Sequence, residues 1–463
     1  MSYDRDNHLN INSTQISYND FIDKELIHFS KYDCDRSIPN LMDGLKISQR
    51  KILFSAFKKK LYSEIKVAQF SGYISEQSGY HHGEASLNGA IVNMAQDFVG
   101  SNNINLFVPN GQFGTRLQGG KDHASERYIF TKLDNISRTI FRVEDDPILN
   151  YLDDDGLSVE PIFYVPIIPM VLVNGSVGIG TGFSTSIPCF NPVEIIQYIK
   201  NHLQGNENNI TLSPYYRNFK GTIEHLDDMK YATNGSITVK NDTLTITELP
   251  IGTWNEPYIV FLEKCLEEKK YGLKDYKDLS TDKDIQITLK FNNDVDLDNK
   301  QSLHNICQKF KLSSNISLTN MYLFDENEKL KHYVSVYEII EDFVVTRTKY
   351  YKIRKEYQIK KMEEELKICS NKYRFVCEIL EDTIDLRKKK SKEITELLIE
   401  KKYDKYDTSY SYLTKMPMDS LNEENVEKLK NDYNRININL KELLGKTITQ
   451  IYLDELNELE KII

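Results

Sequence analysis

Apolar positions recur with three different rhythms along the chain. Near the N-terminus the spacing is helical. TQISYNDFIDKELIHFS, residues 14–30, reads as a helix with a polar start. Pro39 and Asp43-Gly44 punctuate a loop, and from Ser48 the residues Ile52, Leu53 and Phe57 return at helical intervals. A further helix is expected from about Gly83 to Phe98, with Leu87, Ile91, Met94 and Phe98 on one face. Residues 104–133 are rich in Gly and Asn around short apolar runs, which predicts a strand, a loop and a returning strand.

From 157 to 332 the rhythm changes. VEPIFYVPIIPMVLVNGSVGIGTGFS is an apolar stretch broken by prolines and glycines. SITVKNDTLTITEL alternates with period two around Asn241-Asp242, a hairpin signature, and IQITLKF reads as another strand. Helical pieces lie between them, giving an α/β region. The acidic runs LDDDG, 152–156, and DVDLD, 294–298, read as loops.

The last rhythm is the most regular. Ile359, Met362, Leu366, Cys369, Tyr373, Val376 and Leu380 step by 3 and 4, as do Val426, Leu429, Tyr433, Ile436, Leu440 and Leu443. Two such heptad seams predict an antiparallel coiled-coil arm with a small globular end, an ordinary helical bundle being the alternative. Ser420-x-x-Glu423 is placed as a capping box for the second helix. Helix, helix, then ribbon at the other end of the chain is a winged-helix pattern.

With 463 residues the chain exceeds one ordinary core, and about two to four domains are expected. The six cysteines show no metal-type pairing and suit the reduced thiols of an intracellular protein. No apolar run reaches membrane-spanning length, and the N-terminus lacks the apolar core of a signal peptide. The net charge of −10 argues against a polyanion partner, but it hides a local reversal. Between Asp43 and Lys66 lie Lys46, Arg50, Lys51, Lys58, Lys59, Lys60 and Lys66, opposed only by Asp43 and Glu64. That strip is either a solvated helix face or a confined polyanion site. His81 and His82 precede the Gly83 helix, where amide donors and the positive dipole end favour an anion.

GGKDHASERYIFTKL, 119–133, sets Lys121, Arg127 and Tyr128 close behind a glycine pair. A phenol with a pKa of about 10 carries little phenolate at neutral pH, and a guanidinium nearby would favour it. On a strand, however, Arg127 and Tyr128 would point to opposite faces, so Arg127 helps only if the segment is irregular. Among 29 tyrosines, one beside an arginine is as a rule structural. Likewise Ile179, inside an apolar run, reads as core packing on its own.

IPNLMDGLKISQRKILFSAFKKK, YHHGEASL, VGSNNINLFVPNGQFGTRLQGGKDHASERYIF and VLVNGSVGIGTGFSTSIP together resemble the DNA breakage–reunion region of eukaryotic-type and viral type IIA DNA topoisomerases, in order and spacing from about residue 14 onward. The resemblance implies that Tyr128 is the nucleophile and Arg127 its catalytic partner. It further implies that Arg50, Lys51, Lys66, His81, His82, Arg116 and Lys121 face DNA, and that Ile179 wedges between base steps. Ile47-Ser48 stands where the family usually has Pro-Gly, and Glu126 where it usually has a small residue or proline. Both departures bear on rate more than on the reaction.

The fold implied is a multidomain α+β chain. It comprises an N-terminal helical segment (1–30), a winged-helix domain with the nucleophile (31–156), an α/β tower (157–333), and a coiled-coil arm with the C-gate (334–463, tip about 381–420). The function implied is transient double-strand cleavage through paired 5′-phosphotyrosyl links in a homodimer, passage of a second duplex, and resealing. A toprim domain would bind Mg²⁺ and an ATPase domain ATP. Neither is recognisable here, and GSVGIGTG lacks the Lys-Ser/Thr of a phosphate-binding loop. The cleavage subunit of a split enzyme fits, as does an excised portion of a longer polypeptide. The competing expectation is a non-catalytic DNA-bending module, hinted at only by Glu126. A tyrosine recombinase or type I enzyme would need a dispersed Arg/His set and no coiled-coil arm. The compartment implied is an intracellular one containing DNA.

Overall fold

The computed structural model describes residues 7–9, 15–227, 229–240, 243–292, 297, 299–386, 389–417 and 422–463. The chain divides into two compact units, residues 1–347 with 455–463 and residues 348–454.

The first unit opens with a continuous helical stretch. Ser17 caps α1 (Tyr18–Phe21), a π-helical turn follows over Ile22–Leu26, and α2 runs over Ile27–Ser37. Next come α3 (Ile47–Lys59), β1 (Ile65–Lys66), α4 (Val67–Ser78) and α5 (Glu84–Ala95). In α3 the Gln49 side chain accepts the Lys46 amide at 3.0 Å, and Lys60, in the left-handed region, ends the helix. Ile52, Leu53, Ala56 and Phe57 of α3, Val67, Phe70 and Ile74 of α4, and Leu87, Ile91 and Met94 of α5 are buried together in the core of this region. The sequence reading overlooked α4, whose Gly72 and serines give little helical signal; its apolar stripe acquires meaning only through packing. It also ran α5 three residues too far. Phe98 lies beyond the helix, with its ring edge-on to Trp254 at 5.7 Å.

β2 (Phe130–Thr131) pairs antiparallel with β1, Lys66 standing opposite Phe130. The run from 106 to 110 adds only single bridges, Phe107 to Leu133 and Asn110 to Phe130, so the expected ribbon exists but is short. After α6 (Asn135–Ile140) comes a correction. LDDDG is not a loop: β3 (Tyr151–Asp154) and β4 (Leu157–Pro161) form a hairpin around Asp155-Gly156. Both turn residues have positive φ, 51° and 82°, as an Asp-Gly hairpin turn requires.

Next are α7 (Met170–Asn174), β5 (Ser176–Ile179), β6 (Ser184–Ile187) and α8 (Pro192–Gln204). They are followed by β7 (Thr222–Asp227), β8 (Lys230–Asn234), β9 (Ile237–Lys240), β10 (Thr243–Ile246), α9 (Asn255–Glu267), β11 (Leu273–Asp278) and β12 (Ile287–Phe291). The series closes with α10 (Lys300–Lys309), β13 (Ser313–Ser317), β14 (Met321–Phe324) and β15 (Leu330–Tyr333). β9 and β10 are the two arms of the expected hairpin; Asn241 and Asp242 fall outside the described residues. DVDLD falls outside them too, except Leu297. Four antiparallel strands in the order β11-β12-β10-β9 bury Leu244, Ile246, Ile287, Leu289 and Phe291 against Tyr258 and Leu262 of α9. A three-stranded antiparallel sheet, β13-β8-β7, accompanies it.

α11 (Val336–Leu380) is 45 residues long. Within the first unit its opening turns bury Ile339, Ile340, Phe343 and Arg347, the last paired to Asp145 at 2.7 Å. The second unit adds α12 (Ser391–Glu400), α13 (Ser411–Thr414), α14 (Glu423–Gly445) and the start of α15 (Ile448–Glu460). α11 and α14 run antiparallel. Lys355 Nζ donates to the Lys446 carbonyl at 2.5 Å, and Cys369 Sγ to the Leu429 carbonyl at 3.3 Å. Phe375, Ile384, Leu398, Tyr403, Tyr410 and Leu413 form a small core of their own. The cap of α14 is Asn422, whose side chain accepts the Asn425 amide; Ser420 lies outside the described residues. No helix among the described residues is long and apolar enough to cross a membrane.

Candidate DNA-cleavage site

Tyr128 lies in a turn, not on a strand. Its amide donates to the Ser125 carbonyl at 2.9 Å, and β2 begins only at Phe130. Strand alternation therefore does not separate Arg127 from Tyr128, and the condition set by the sequence is met. The turn is seated on the start of α4. Ala68 N–H donates to the Glu126 carbonyl at 3.1 Å and Val67 N–H to the Ile129 carbonyl at 3.0 Å. These bonds satisfy two amides that a helix start would otherwise leave unpaired. Ile129 is buried and anchors the segment, whereas Tyr128 is 75 % exposed. Its hydroxyl makes no hydrogen bond among the described residues. The phenol is presented to solvent, as a nucleophile awaiting a ligand would be and core filler would not.

The loop before it, 111–124, is shaped by Gly111, Gly114, Gly119 and Gly120, all at positive φ. At two of these the reason is close approach: a side chain at Gly119 would collide with the Trp254 indole, and one at Gly120 with Gln96. Thr115 and Asp122 tie the loop across its neck, with the hydroxyl donating to the carboxylate at 2.6 Å. Lys121 is exposed on it.

The basic strip divides. Lys58, Lys59, Lys60 and Lys66 face solvent. Arg50 does not: it is only 6 % exposed, donating to Asp43 from Nε at 2.6 Å and from Nη2 at 3.0 Å, and to the Leu45 carbonyl at 2.9 Å. Lys51 Nζ is engaged by Glu160 at 2.8 Å and by the Ser78 carbonyl at 2.5 Å. Arg116, also 6 % exposed, is paired bidentately with Glu248. Arg50, Lys51 and Arg116, which the resemblance sets against DNA, are here engaged by partners within the protein. The partners of Lys51 and Arg116 could not be identified from the sequence, since Glu160 and Glu248 are more than a hundred positions away in the chain.

His81 is exposed, 3.9 Å from Asp154 at the tip of the β3–β4 hairpin. His82 Nε2 and the Tyr32 hydroxyl share a hydrogen bond of 3.0 Å, and the His82 ring meets Tyr80 edge-on at 5.3 Å. Burial, and then the charges of Arg36, His81 and Lys51, hold His82 below its ordinary pKa. Tyr32 and Arg36, on the outer side of α2, were missed by the sequence reading. Their only signal was an aromatic and a base one turn apart on one helix.

Ile179 closes the β5–β6 ladder opposite Ser184 and is 82 % exposed. An apolar run therefore carries one residue to the outside, contrary to the core-packing alternative. The hairpin bearing it is braced from beneath. A side chain at Gly178 would collide with the Ser37 carbonyl, Lys46 Nζ donates to the Val177 carbonyl at 2.8 Å, and Thr181 Oγ1 donates to Asp33 at 2.8 Å. Among the described residues no three His, Cys, Asp or Glu side chains gather as metal ligands.

A family model for the DNA gyrase/topoisomerase IV A-subunit matches residues 36–457. The chain is 43% identical, over 97% of its length, to DNA topoisomerase 2 of Plasmodium falciparum, and 41% identical over 99% to that of Arabidopsis thaliana. Human DNA topoisomerase 2-alpha is 44% identical over 85% of the chain. Among solved structures, the Plasmodium falciparum topoisomerase II DNA-binding, cleavage and re-ligation domain superposes with a TM-score of 0.88 at 42% identity, over 99% of this chain and 66% of that one. The chain spans about a third of the length of the curated relatives it matches, 34% for the first two.

Proposed function

Since the chain belongs to the type IIA DNA topoisomerases, the family that includes the gyrase/topoisomerase IV A-subunit, we propose that it is the DNA cleavage and religation portion of such an enzyme, with Tyr128 as its nucleophile. The observation that carries this reading is the exposed, unengaged phenol of Tyr128 on a backbone fixed to the start of α4. In the proposed step, Tyr128 Oη attacks a backbone phosphorus. The Oη–P bond forms as the P–O3′ bond breaks, the phenolic proton is lost to solvent, and the leaving 3′ oxygen takes up a proton. The product is a 5′-phosphotyrosyl ester, which the 3′-hydroxyl attacks in the reverse step. Arg127, exposed in the same turn, is assigned to the charge developing on the phosphoryl oxygens. Two copies of the chain, each cutting one strand, give a double-strand break. A divalent ion bound by a toprim domain would neutralise phosphate charge, and ATP would be hydrolysed by a further domain. The ligand set for neither is recognised in this chain.

Within this reading residues 31–156 are the winged-helix domain, 157–333 the tower, and 334–463 a coiled-coil arm with its gate near 381–420. Lys66, Lys121, His81 and His82 contact the backbone of the duplex. Ile179 inserts between base steps, where unstacking costs a few kcal/mol that is offset by wrapping more DNA against the protein. Trapping the enzyme on duplex DNA with detergent and recovering protein-linked ends tests the function; a topoisomerase 2 activity that leaves no protein on its DNA would refute it.

Two further outcomes are expected. Ile179→Ala should reduce the bend of a bound duplex, read as a fall in energy transfer between end-attached dyes, and weaken binding about tenfold. An unchanged bend would remove the wedge role. For His82, the lowered pKa means that the free protein holds less proton than an ordinary imidazole in a window below about pH 6.5. Folding stability therefore rises with pH through that window. A phosphate beside the ring would raise the pKa again, so DNA binding should take up a proton there. Affinity should rise as pH falls from 7.5 to 6, by at most about tenfold per pH unit for one proton, and His82→Gln should flatten the part due to this ring. An identical slope in the variant would exclude His82 from the interface.

A further inference from the structure

We infer that Arg116, Glu248 and Trp254 form a latch that fixes the loop carrying Tyr128, and so act as positioning residues for strand cleavage. The inference rests on the reading of Tyr128 as nucleophile. The phenol does not hold itself in place, because its side chain is exposed and its hydroxyl has no hydrogen-bond partner among the described residues. Its coordinates are inherited from the backbone on either side. The C-terminal side is secured on α4 and β1. The other side, 111–124, contains four glycines at positive φ; bonds such as Thr115 to Asp122 tie it internally but do not fix it to the rest of the unit.

What stiffens it comes from 248–256, far along the chain. Glu248 is fully buried and accepts from three groups: the Arg116 guanidinium, the Lys220 amide at 3.2 Å and the Leu249 amide at 2.9 Å. It is therefore a fixed point, and the fork of Arg116 locks to it with a defined orientation. A buried pair of this kind adds little net stability compared with apolar residues, whereas its geometry is directional. The first amides of α9 then bond outward to the loop. Asn255 N–H donates to the Arg116 carbonyl at 3.3 Å, Glu256 N–H to the Leu117 carbonyl at 3.0 Å, and Gln118 Nε2 to the Glu256 carboxylate at 2.8 Å. Trp254, the chain's one tryptophan, lies against Gly119 so closely that no side chain fits there, and also touches the space over Gly100. The loop is thus held at residues 116 to 119 in succession, in the segment that leads to the nucleophile.

The test uses the complete enzyme containing this chain. Three quantities are measured: single-turnover formation of the covalent complex at saturating duplex, duplex affinity, and thermal melting. A displacement of the reacting atom by about 1 Å costs on the order of 100-fold in rate, which is the loss expected for Trp254→Ala, with affinity changed less than about threefold. Trp254→Phe should restore most of the rate. Arg116→Met with Glu248→Gln removes both charges, keeps an acceptor for the Lys220 and Leu249 amides, and leaves no lone buried ion. It should fold and cleave about tenfold slower. If this double variant and a folded Trp254 variant cleave at the unaltered rate, the latch is refuted. If affinity, melting and cleavage fall together, the role is merely structural and the inference is likewise overturned. An unaltered enzyme that forms no link through Tyr128 would instead defeat the functional reading beneath it.

Discussion

Tyr128→Phe should abolish the covalent complex while leaving the protein folded and DNA-competent. The substitution removes one oxygen from a side chain that is already largely in solvent, so neither core packing nor a hydrogen bond among the described residues is lost. Melting should shift by no more than is usual for a surface change, within about 0.5 kcal/mol. Duplex affinity should hold within about twofold, because the phosphate contacts that dominate it come from basic side chains. Cleavage has no substitute route, since phenylalanine offers no atom that can form an ester. Removal of a nucleophile elsewhere costs about 10⁶-fold in rate, and a loss of at least that order is expected here. Relaxation by the complete enzyme should vanish with it. If the variant kept relaxation activity, the competing module that bends DNA without cutting it would be favoured, and Glu126 beside Arg127 would gain significance.

The second large effect is on stability. Arg50→Ala should destabilise the first unit by about 3–5 kcal/mol, because it strands a buried carboxylate. Asp43 has no solvent exposure; it also accepts the Leu45 and Tyr164 amides, each at 3.0 Å, so it joins α3 to a distant segment of the core. Replacing both partners, Arg50→Met with Asp43→Asn, should recover much of the loss. Denaturant midpoints check this. The contrast with Lys66→Ala separates structural from DNA-facing charge. Lys66 is exposed, so its removal should leave the midpoint unchanged and reduce the salt dependence of duplex binding by about one ion. A stable Arg50→Ala protein with a reduced salt slope would reverse the assignment of the two residues.

These cases mark what the sequence could and could not disclose. Long elements with a sustained period were legible: the apolar steps of α3, the two helices α11 and α14, and the alternation of β9 and β10 all depend on local order. Residues whose meaning lies in a remote partner were not. Lys51 and Arg116 are chemically indistinguishable from phosphate binders until Glu160 and Glu248 come into contact with them. α4 was hidden because its composition is weakly helical and its apolar face is defined by α3 and α5. The LDDDG run was legible but misread: its Asp155-Gly156 pair is itself a hairpin signal. For Ile179 the outcome ran the other way. Hydrophobicity suggested the core, and the brace of Ser37, Lys46 and Asp33 under its hairpin pushes it outward instead.

The most direct measurement is identification of the linked residue. The enzyme is trapped on duplex DNA with detergent, digested with protease and nuclease, and the nucleotide-bearing peptide is sequenced by mass spectrometry. The expected adduct is a nucleotide 5′-phosphate on the tyrosine of the peptide containing ERYIF. An adduct on any other side chain, or on a 3′-phosphate, would contradict it.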